Sequence, residues 1–239
     1  MSSDLSALYD VIEGTWPPAR AWPDGPWTLR DGAGGGKRAS AATATGEVTD
    51  ADIDTAQAAM RETGQQALFM IRNGDDALDD MLAARGYERI DETNIYTAPV
   101  DLLTDKAIPR VTCFTIWEPL AIMLEIWAKG GIGATRLDVM RRAQLKTGIF
   151  ARWNEQPGGV AFVGIHNDTA MVHAVEVLPH HRKQGLAEWI MRAAAIWAAK
   201  QGATQVAVLC VADNKPANAL YTKLGFARAG TYHYRILPE

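Results

Sequence analysis

The chain has 239 residues, of which 48% are hydrophobic and 22% are charged, and its formal net charge is −4. This composition excludes wholesale disorder or a fibre, and the net negative charge argues against a general electrostatic affinity for nucleic acid. The length permits one large domain or two modest ones. No apolar stretch is long enough to cross a bilayer, and the acidic first residues are unlike a signal peptide. Only two cysteines are present, without histidines at metal-ligand spacing. The sequence therefore predicts a cytoplasmic protein with no membrane segment, disulfide scaffold or bound metal.

The first half predicts alternating strands and helices, with the helix after Thr49 or Asp50 capped by a short side-chain oxygen. In chain order, the expected elements are a short helix from Leu5, a Trp/Pro-rich loop over 16–27, strands over 27–30 and 37–46 joined by a glycine-rich turn at 31–36, a helix over 50–63, a strand over 66–72, a helix over 75–85 and a strand over 87–96. Residues 101–109 are the expected linker.

The second half restarts the pattern and contains the clearest helix of the chain, the one over 186–200. The expected elements are a strand over 111–117, helices over 120–129 and 135–144, strands over 147–153, 159–166 and 170–178, a helix over 186–200, a strand over 205–211, a helix from Pro216 to Gly225 and a strand to Arg235. Turns at Pro157-Gly158 and Asn167-Asp168 predict an antiparallel meander of the three strands.

The run from Asp31 to Arg38 superficially suggests a phosphate-binding P-loop. It lacks the first glycine, and Lys37 is not followed by Ser or Thr. Its expected flanks are strand and strand, whereas a P-loop joins a strand to a helix. We therefore expect a flexible hairpin tip.

The segment from Val177 to Ala187 is the most informative in the chain. A strand ends at Pro179 and a helix begins near Gly185, so the unpaired N–H groups and positive dipole end of that helix lie beside Arg182 and Lys183. Glycine at the helix start lets a phosphate approach the backbone closely. These residues predict a phosphate cradle at a helix amino terminus, and the alternative is a solvated basic turn.

Two spaced motifs favour the cradle. The residues from Val177 to Ala187 read Val-x-Pro-x-x-Arg-x-x-Gly-x-Ala, which resembles the acyl-CoA motif of the GNAT N-acetyltransferase superfamily. The segment from Asn214 to Phe226 resembles the second family signature, Asn-x-x-Ala-x-x-Leu-Tyr-x-x-Leu-Gly-Phe. The resemblance covers about residues 110–239.

The resemblance implies a role for each matching residue. The strand ending at Val177 would splay from its neighbour and pair with the pantetheine arm of CoA, and Asn214 would contact the pantetheine region. Tyr221 would protonate the departing thiolate, a role that suits a phenol at neutral pH. The diphosphate would be held by the N–H groups of Arg182, Lys183, Gln184, Gly185, Leu186 and Ala187.

The general base is open between two residues. Glu176 is an acid in a nearly apolar strand, and alternation places it on the face opposite Val175 and Val177. It is expected to act as base or to orient a water, and a surface glutamate is the alternative. His173 is the second candidate. We expect His180 and His181 to face solvent near the phosphates.

The first half echoes the second without its cofactor signature. The first half ends in a predicted helix followed by Arg-Gly-Tyr, and the second in a predicted helix followed by Leu-Gly-Phe. However, the residue that matches Tyr221 is Leu82. The helix start after Glu47 also carries acids, which repel phosphate. The sequence thus predicts an α/β (α+β) fold of tandem GNAT-like domains, each a mixed, mostly antiparallel sheet flanked by helices. Residues 1–105 would be a degenerate domain that serves packing, cleft formation or dimerisation, and 106–239 the catalytic domain.

The resemblance implies an N-acetyltransferase that uses acetyl-CoA and needs no metal. The acceptor would be a primary amine of a small molecule or peptide, drawn by acids such as Glu118, Glu125 or Asp138, each of which could equally be a surface charge. No nucleic acid or membrane partner is expected, and a homodimer stays open. The alternative function is a catalytically silent acyl-CoA-binding sensor or interaction module.

Overall fold

The computed structural model describes residues 5–238, so the first four residues of the predicted acidic amino terminus lie outside it. The described helices are α1 (Leu5–Thr15), α2 (Lys37–Ser40), α3 (Asp50–Glu62), α4 (Asp76–Ala84), α5 (Ala121–Lys129), α6 (Ala134–Arg142), α7 (Leu186–Lys200) and α8 (Lys215–Lys223). None of them is long and apolar enough to cross a membrane. The Thr49 side chain caps α3 as predicted, and it forms a capping box with Asp52.

The strands form two sheets. They are β1 (Arg20–Asp24), β2 (Trp27–Asp31), β3 (Thr43–Ala44), β4 (Leu68–Ile71), β5 (Glu88–Pro99), β6 (Cys113–Ile116), β7 (Leu145–Trp153), β8 (Gln156–His166), β9 (Thr169–Val177), β10 (Gln205–Val211) and β11 (Ala227–Ile236). A small sheet has the order β1-β2-β3, and a large one the order β4-β11-β5-β10-β9-β8-β7-β6. The predicted mixed α/β, mostly antiparallel architecture is confirmed, with β9 and β10 as the parallel neighbours of the large sheet.

The helices cover both faces of the large sheet. Leu8, Val11 and Ile12 of α1 pack on one face, against Ala207 of β10. On the other face α7 packs against Val206 and Val208, together with Tyr221 of α8. Alternation along β10 thus sends successive side chains into two different cores.

The two halves of the chain exchange strands. β5 of the first half lies between β10 and β11 of the second, and β11 lies between β4 and β5 of the first. Each half ends in a helix, a glycine with positive φ and a strand, namely α4, Gly86 and β5 in the first half and α8, Gly225 and β11 in the second. Because each half supplies a strand inside the other, one sheet runs through both. The boundary near residue 105 stays a prediction.

Four local predictions are wrong. Residues 37–46 are not one strand but α2 followed by β3, and β1 lies within the stretch expected to be a loop. The glycine-rich run is no hairpin tip, since Gly35 and Gly36 pack closely against Val139 and Arg136 of α6.

The fourth wrong prediction concerns the first turn of the meander. It lies at Asn154-Glu155, both with positive φ, and not at Pro157-Gly158. Asparagine tolerates this left-handed backbone conformation. Pro157 has no backbone N–H to donate to the ladder. It lies near the start of β8, where the register with β7 shifts, and such an irregularity tolerates the missing hydrogen bond. The second turn has Asn167 at positive φ, as expected for a tight hairpin.

Candidate active site

A wedge-shaped gap opens between the two parallel strands. β9 and β10 pair from Thr169 and Gln205 up to Val172 and Val208 and no further. Beyond that point β9 pairs with β8, and β10 pairs with β5. The edges of the two strands that face each other are therefore free of a ladder beyond Val172 and Val208, and an extended ligand could pair there.

A β-bulge shapes one side of this gap. Ala174 has φ +51°, and the register between β8 and β9 shifts at this point. The bulge places His173 and Glu176 on one face, whereas strict alternation would separate them. The indole Nε1 of the fully buried Trp127 donates to the Ala174 carbonyl at 2.9 Å. No local signal in the sequence marks Trp127 as more than a core residue, so sequence reasoning could not find its role in holding the bulge.

Glu176 lies half-buried against the carboxyl end of α5. A Cβ at Gly130 would be 2.6 Å from the Glu176 Oε1 atom, so the glycine leaves the space that this side chain occupies. Burial raises the pKa of Glu176, and the positive charge of Arg182 opposes that rise. A carboxylate with a raised pKa is better matched to accept a proton near neutral pH than an ordinary surface glutamate.

The structure argues against His173 as the base. Its Nε2 lies 2.8 Å from Thr15 Oγ1, and its Nδ1 lies 3.0 Å from Arg38 Nη1. Since arginine can only donate, Nδ1 accepts and Nε2 carries the proton. Burial, followed by the nearby charge of Arg38, holds the pKa of His173 well below its usual value. Both ring nitrogens are occupied, so this side chain joins α1, α2 and β9 instead of facing a substrate.

The predicted phosphate cradle is exposed at the mouth of the gap. Gly185 has φ +84° and precedes α7 without a side-chain cap, and Lys183 has φ +60°. Within residues 5–238 the backbone N–H groups of Lys183, Gln184 and Gly185 have no hydrogen-bond partner. The first N–H groups of the helix, those of Leu186 and Ala187, lack intrahelical partners as well.

The side chains of the cradle have different surroundings. Arg182 Nε donates to the Val177 carbonyl at 2.9 Å, and Gln184 Nε2 donates to the His180 carbonyl at 2.9 Å. The Leu186 side chain is buried in the core, so only its backbone faces the mouth. His180 is exposed as expected, but His181 is only 8% exposed and the expectation that it faces solvent is wrong.

Tyr221 lies between the gap and the core. It is 6% exposed, and burial raises its pKa well above the ordinary value, with a smaller contribution from Cys210. Within residues 5–238 its hydroxyl has no hydrogen-bond partner. Asn214 caps α8, because its side-chain oxygen accepts from the Ala217 N–H at 3.2 Å.

The corresponding helix start in the first half is closed. The Thr49 hydroxyl accepts from the Asp52 N–H, and the Asp52 carboxylate accepts from the Thr49 N–H at 2.8 Å. The Arg72 guanidinium donates to the Ala44 carbonyl, across the point where β3 and β4 part. The capping box and the acidic side chains of Asp50 and Asp52 thus make this helix start unsuited to a phosphate.

The candidate acceptor acids are all exposed. Asp138 forms an ion pair with Arg141, while Glu118 precedes α5 and Glu125 lies on its exposed face. None of them gains support as part of a site. The described residues 5–238 contain no group of three or more His, Cys, Asp or Glu side chains that could hold a metal ion.

Comparison with known proteins identifies the family of the domain that holds this site. The model of the acetyltransferase (GNAT) family matches residues 117–226, which include the open gap, the cradle and Tyr221. Residues 117–226 are a GNAT domain. The chain is also 24% identical to the uncharacterized N-acetyltransferase YobR of Bacillus subtilis (strain 168), over 98% of both chains.

Solved structures extend the likeness to the whole fold. A GCN5-related N-acetyltransferase from Kribbella flavida has a TM-score of 0.76 and 18% identity, and the match covers 98% of this chain and 96% of that one. A tandem GNAT protein from the clavulanic acid biosynthesis pathway has a TM-score of 0.62 and 16% identity, over 93% of this chain and 85% of that one. At these identities the likeness concerns the fold, and it includes the half that lies outside the matched GNAT domain.

Proposed function

We propose that this chain is an acetyl-CoA-dependent N-acetyltransferase that acts on a primary amine of a small molecule or peptide. The observation that carries the proposal is the open amino terminus of α7. Its unpaired N–H groups lie at the mouth of the gap between β9 and β10, whereas the equivalent helix α3 is closed by its own side chains. A diphosphate suits this combination of unpaired N–H groups, helix dipole and nearby positive charge.

Each group of the site has a place in a direct transfer. The bound cofactor supplies an acetyl thioester. As the amine attacks its carbonyl, a C–N bond forms and the C–S bond breaks. The nitrogen loses a proton to Glu176 or to a water that Glu176 orients, and the Tyr221 hydroxyl gives a proton to the departing sulfur. The raised pKa of Tyr221 keeps that proton on the phenol at neutral pH.

Binding and catalysis should separate in a simple experiment. The full chain is incubated with acetyl-CoA and a panel of amines, and free thiol is measured, while calorimetry measures CoA affinity. Tyr221→Phe should slow turnover strongly and leave CoA affinity within about twofold, because the ring and its packing remain. Replacing Arg182 and Lys183 by alanine should instead weaken CoA binding.

The outcomes distinguish the two functional classes. CoA binding without acetyl transfer across the panel would favour the catalytically silent sensor. Absence of CoA binding would refute both. Turnover that is unchanged in Tyr221→Phe would remove the proton-donor role from that residue.

A further inference from the structure

Asn218 of α8 is the point at which the two halves of the chain meet beside the site. Its Oδ1 accepts from the Asn94 side-chain amide at 2.9 Å and from the Tyr96 hydroxyl at 2.9 Å. Its Nδ2 donates to the carbonyls of Val211 at 3.0 Å and Asn214 at 2.9 Å. Asn94 and Tyr96 belong to β5, the strand that the first half inserts into the second.

These contacts allow one orientation of the Asn218 amide. Its oxygen faces two donors and its nitrogen faces carbonyls, including that of Ala212 at 3.3 Å. Turning the amide over would place donor against donor and acceptor against acceptor. The side chain therefore ties together the end of β10, the cap of α8 and the exchanged strand.

The same strand touches the predicted proton donor directly. The rings of Tyr96 and Tyr221 are 5.9 Å apart between centroids, within the range of aromatic pairs. Asn218 and Tyr221 are three residues apart on α8, which places them on neighbouring positions of its surface. Asn94 and Tyr96 are two residues apart on β5 and share one face. Asn94 and Tyr96 of the first half therefore contact Asn218 and Tyr221 of the second.

We propose that Asn94 and Tyr96 are positioning residues of the transfer reaction. Acting through Asn218, they hold α8 at the angle that brings the Tyr221 hydroxyl to the reacting sulfur. This inference rests on the proposed function, and it gives the first half a role in catalysis although its own helix start is closed. Neither residue touches the substrate or the cofactor in this scheme.

The first test is Tyr96→Phe, which removes one hydroxyl and keeps the ring. Its matched control is Tyr87→Phe in the same half, where the lost hydroxyl donates to the Gln57 side-chain oxygen at 3.2 Å, away from α8. We expect Tyr96→Phe to lower kcat by roughly 5- to 50-fold, a range typical of coupled neighbours, with KM for acetyl-CoA little changed. Asn94→Asp, which replaces the donor by a carboxylate, should act in the same direction. Tyr87→Phe should leave kcat unchanged.

A double-mutant cycle distinguishes positioning from general destabilisation. If Tyr96 acts through Tyr221, Tyr96→Phe should cause no further loss of kcat once Tyr221 is already phenylalanine. A full additional loss in the double variant, or a kcat unchanged in Tyr96→Phe, would overturn the inference.

Hydrogen exchange decides the matter independently of activity. The amides of α8 should exchange faster in Tyr96→Phe than in the native chain and should be unchanged in Tyr87→Phe. Equal exchange in all three would overturn the inference. If the native chain transferred no acetyl group at all, the proposed function would fail, while this measurement would still show whether β5 holds α8 in place.

Discussion

Gly130 offers a way to move the candidate base without altering it. A Cβ at this position would lie 2.4 Å from Glu176 Cδ and 2.6 Å from its Oε1, whereas ordinary contact begins at 3.4 Å, so the carboxylate must retreat by about 1 Å. A misplacement of about 1 Å in a catalytic group can cost about 100-fold in rate. We therefore expect Gly130→Ala to lower kcat by roughly 30- to 100-fold.

Stability should hardly change in the same variant. Gly130 has φ −83°, which alanine adopts readily, and the atoms in the way are the end of a flexible side chain. Gly133→Ala is the matched control, because this glycine lies in the same α5–α6 connection, has φ −89°, and has nothing within 4 Å of the added Cβ. It should show native turnover.

The assay is thiol release at saturating acetyl-CoA, together with thermal unfolding of each variant. Glu176→Gln should lower turnover as well and should flatten the acid side of the pH–rate profile. Since the base acts when ionised and its pKa is raised, the native rate should increase with pH above the range of an ordinary carboxyl. Native turnover in Gly130→Ala, or a further 30-fold loss when it is added to Glu176→Gln, would refute the placement of the base.

Other predictions concern stability and binding. Gly185→Ala should destabilise the chain by about 1–2 kcal/mol and weaken CoA binding measured by calorimetry, because alanine resists φ +84°. Trp127→Phe should cost about 0.5–1.5 kcal/mol in denaturant unfolding, since the half-buried Ala174 carbonyl loses its donor. His173 is neutral in the folded chain and titrates near pH 6.5 when unfolded, so the free energy of unfolding should fall as pH drops below about 6.5, with a smaller slope in His173→Gln. Fragments 1–105 and 106–239 should each fail to fold alone, as judged by circular dichroism, because each lacks a strand that the other supplies.

The sequence was sufficient for the elements that depend on local signals. The motif from Val177 to Ala187 predicted the open helix start, because glycine and flanking basic residues have a local physical meaning. The cap at Thr49 followed from the same kind of local rule. The second motif placed Tyr221 on a helix, and the structure buries it beside the gap.

The features that the sequence did not predict depend on contacts between residues that are distant in the chain. Alternation cannot anticipate the bulge at Ala174, since one extra residue in a strand leaves no local signature, and its anchor Trp127 is 47 residues away. Alternation also could not show that Arg38 forms a hydrogen bond with His173, because the two residues are 135 positions apart in the chain. The sequence also could not predict the exchange of β5 and β11. Each strand has an ordinary strand-like sequence, and its neighbours in the sheet are known only from the hydrogen-bond pairing.

The strand exchange also determines when the chain can complete its fold during synthesis. β11 is synthesised after all the other described strands, yet it lies between β4 and β5, which are made more than a hundred residues earlier. Until it arrives, these two strands can present edges whose N–H and C=O groups lack their final partner, and such edges favour association with other chains. The ten residues of β11 therefore complete both halves together, and deletion of this strand should damage the first half as severely as the second.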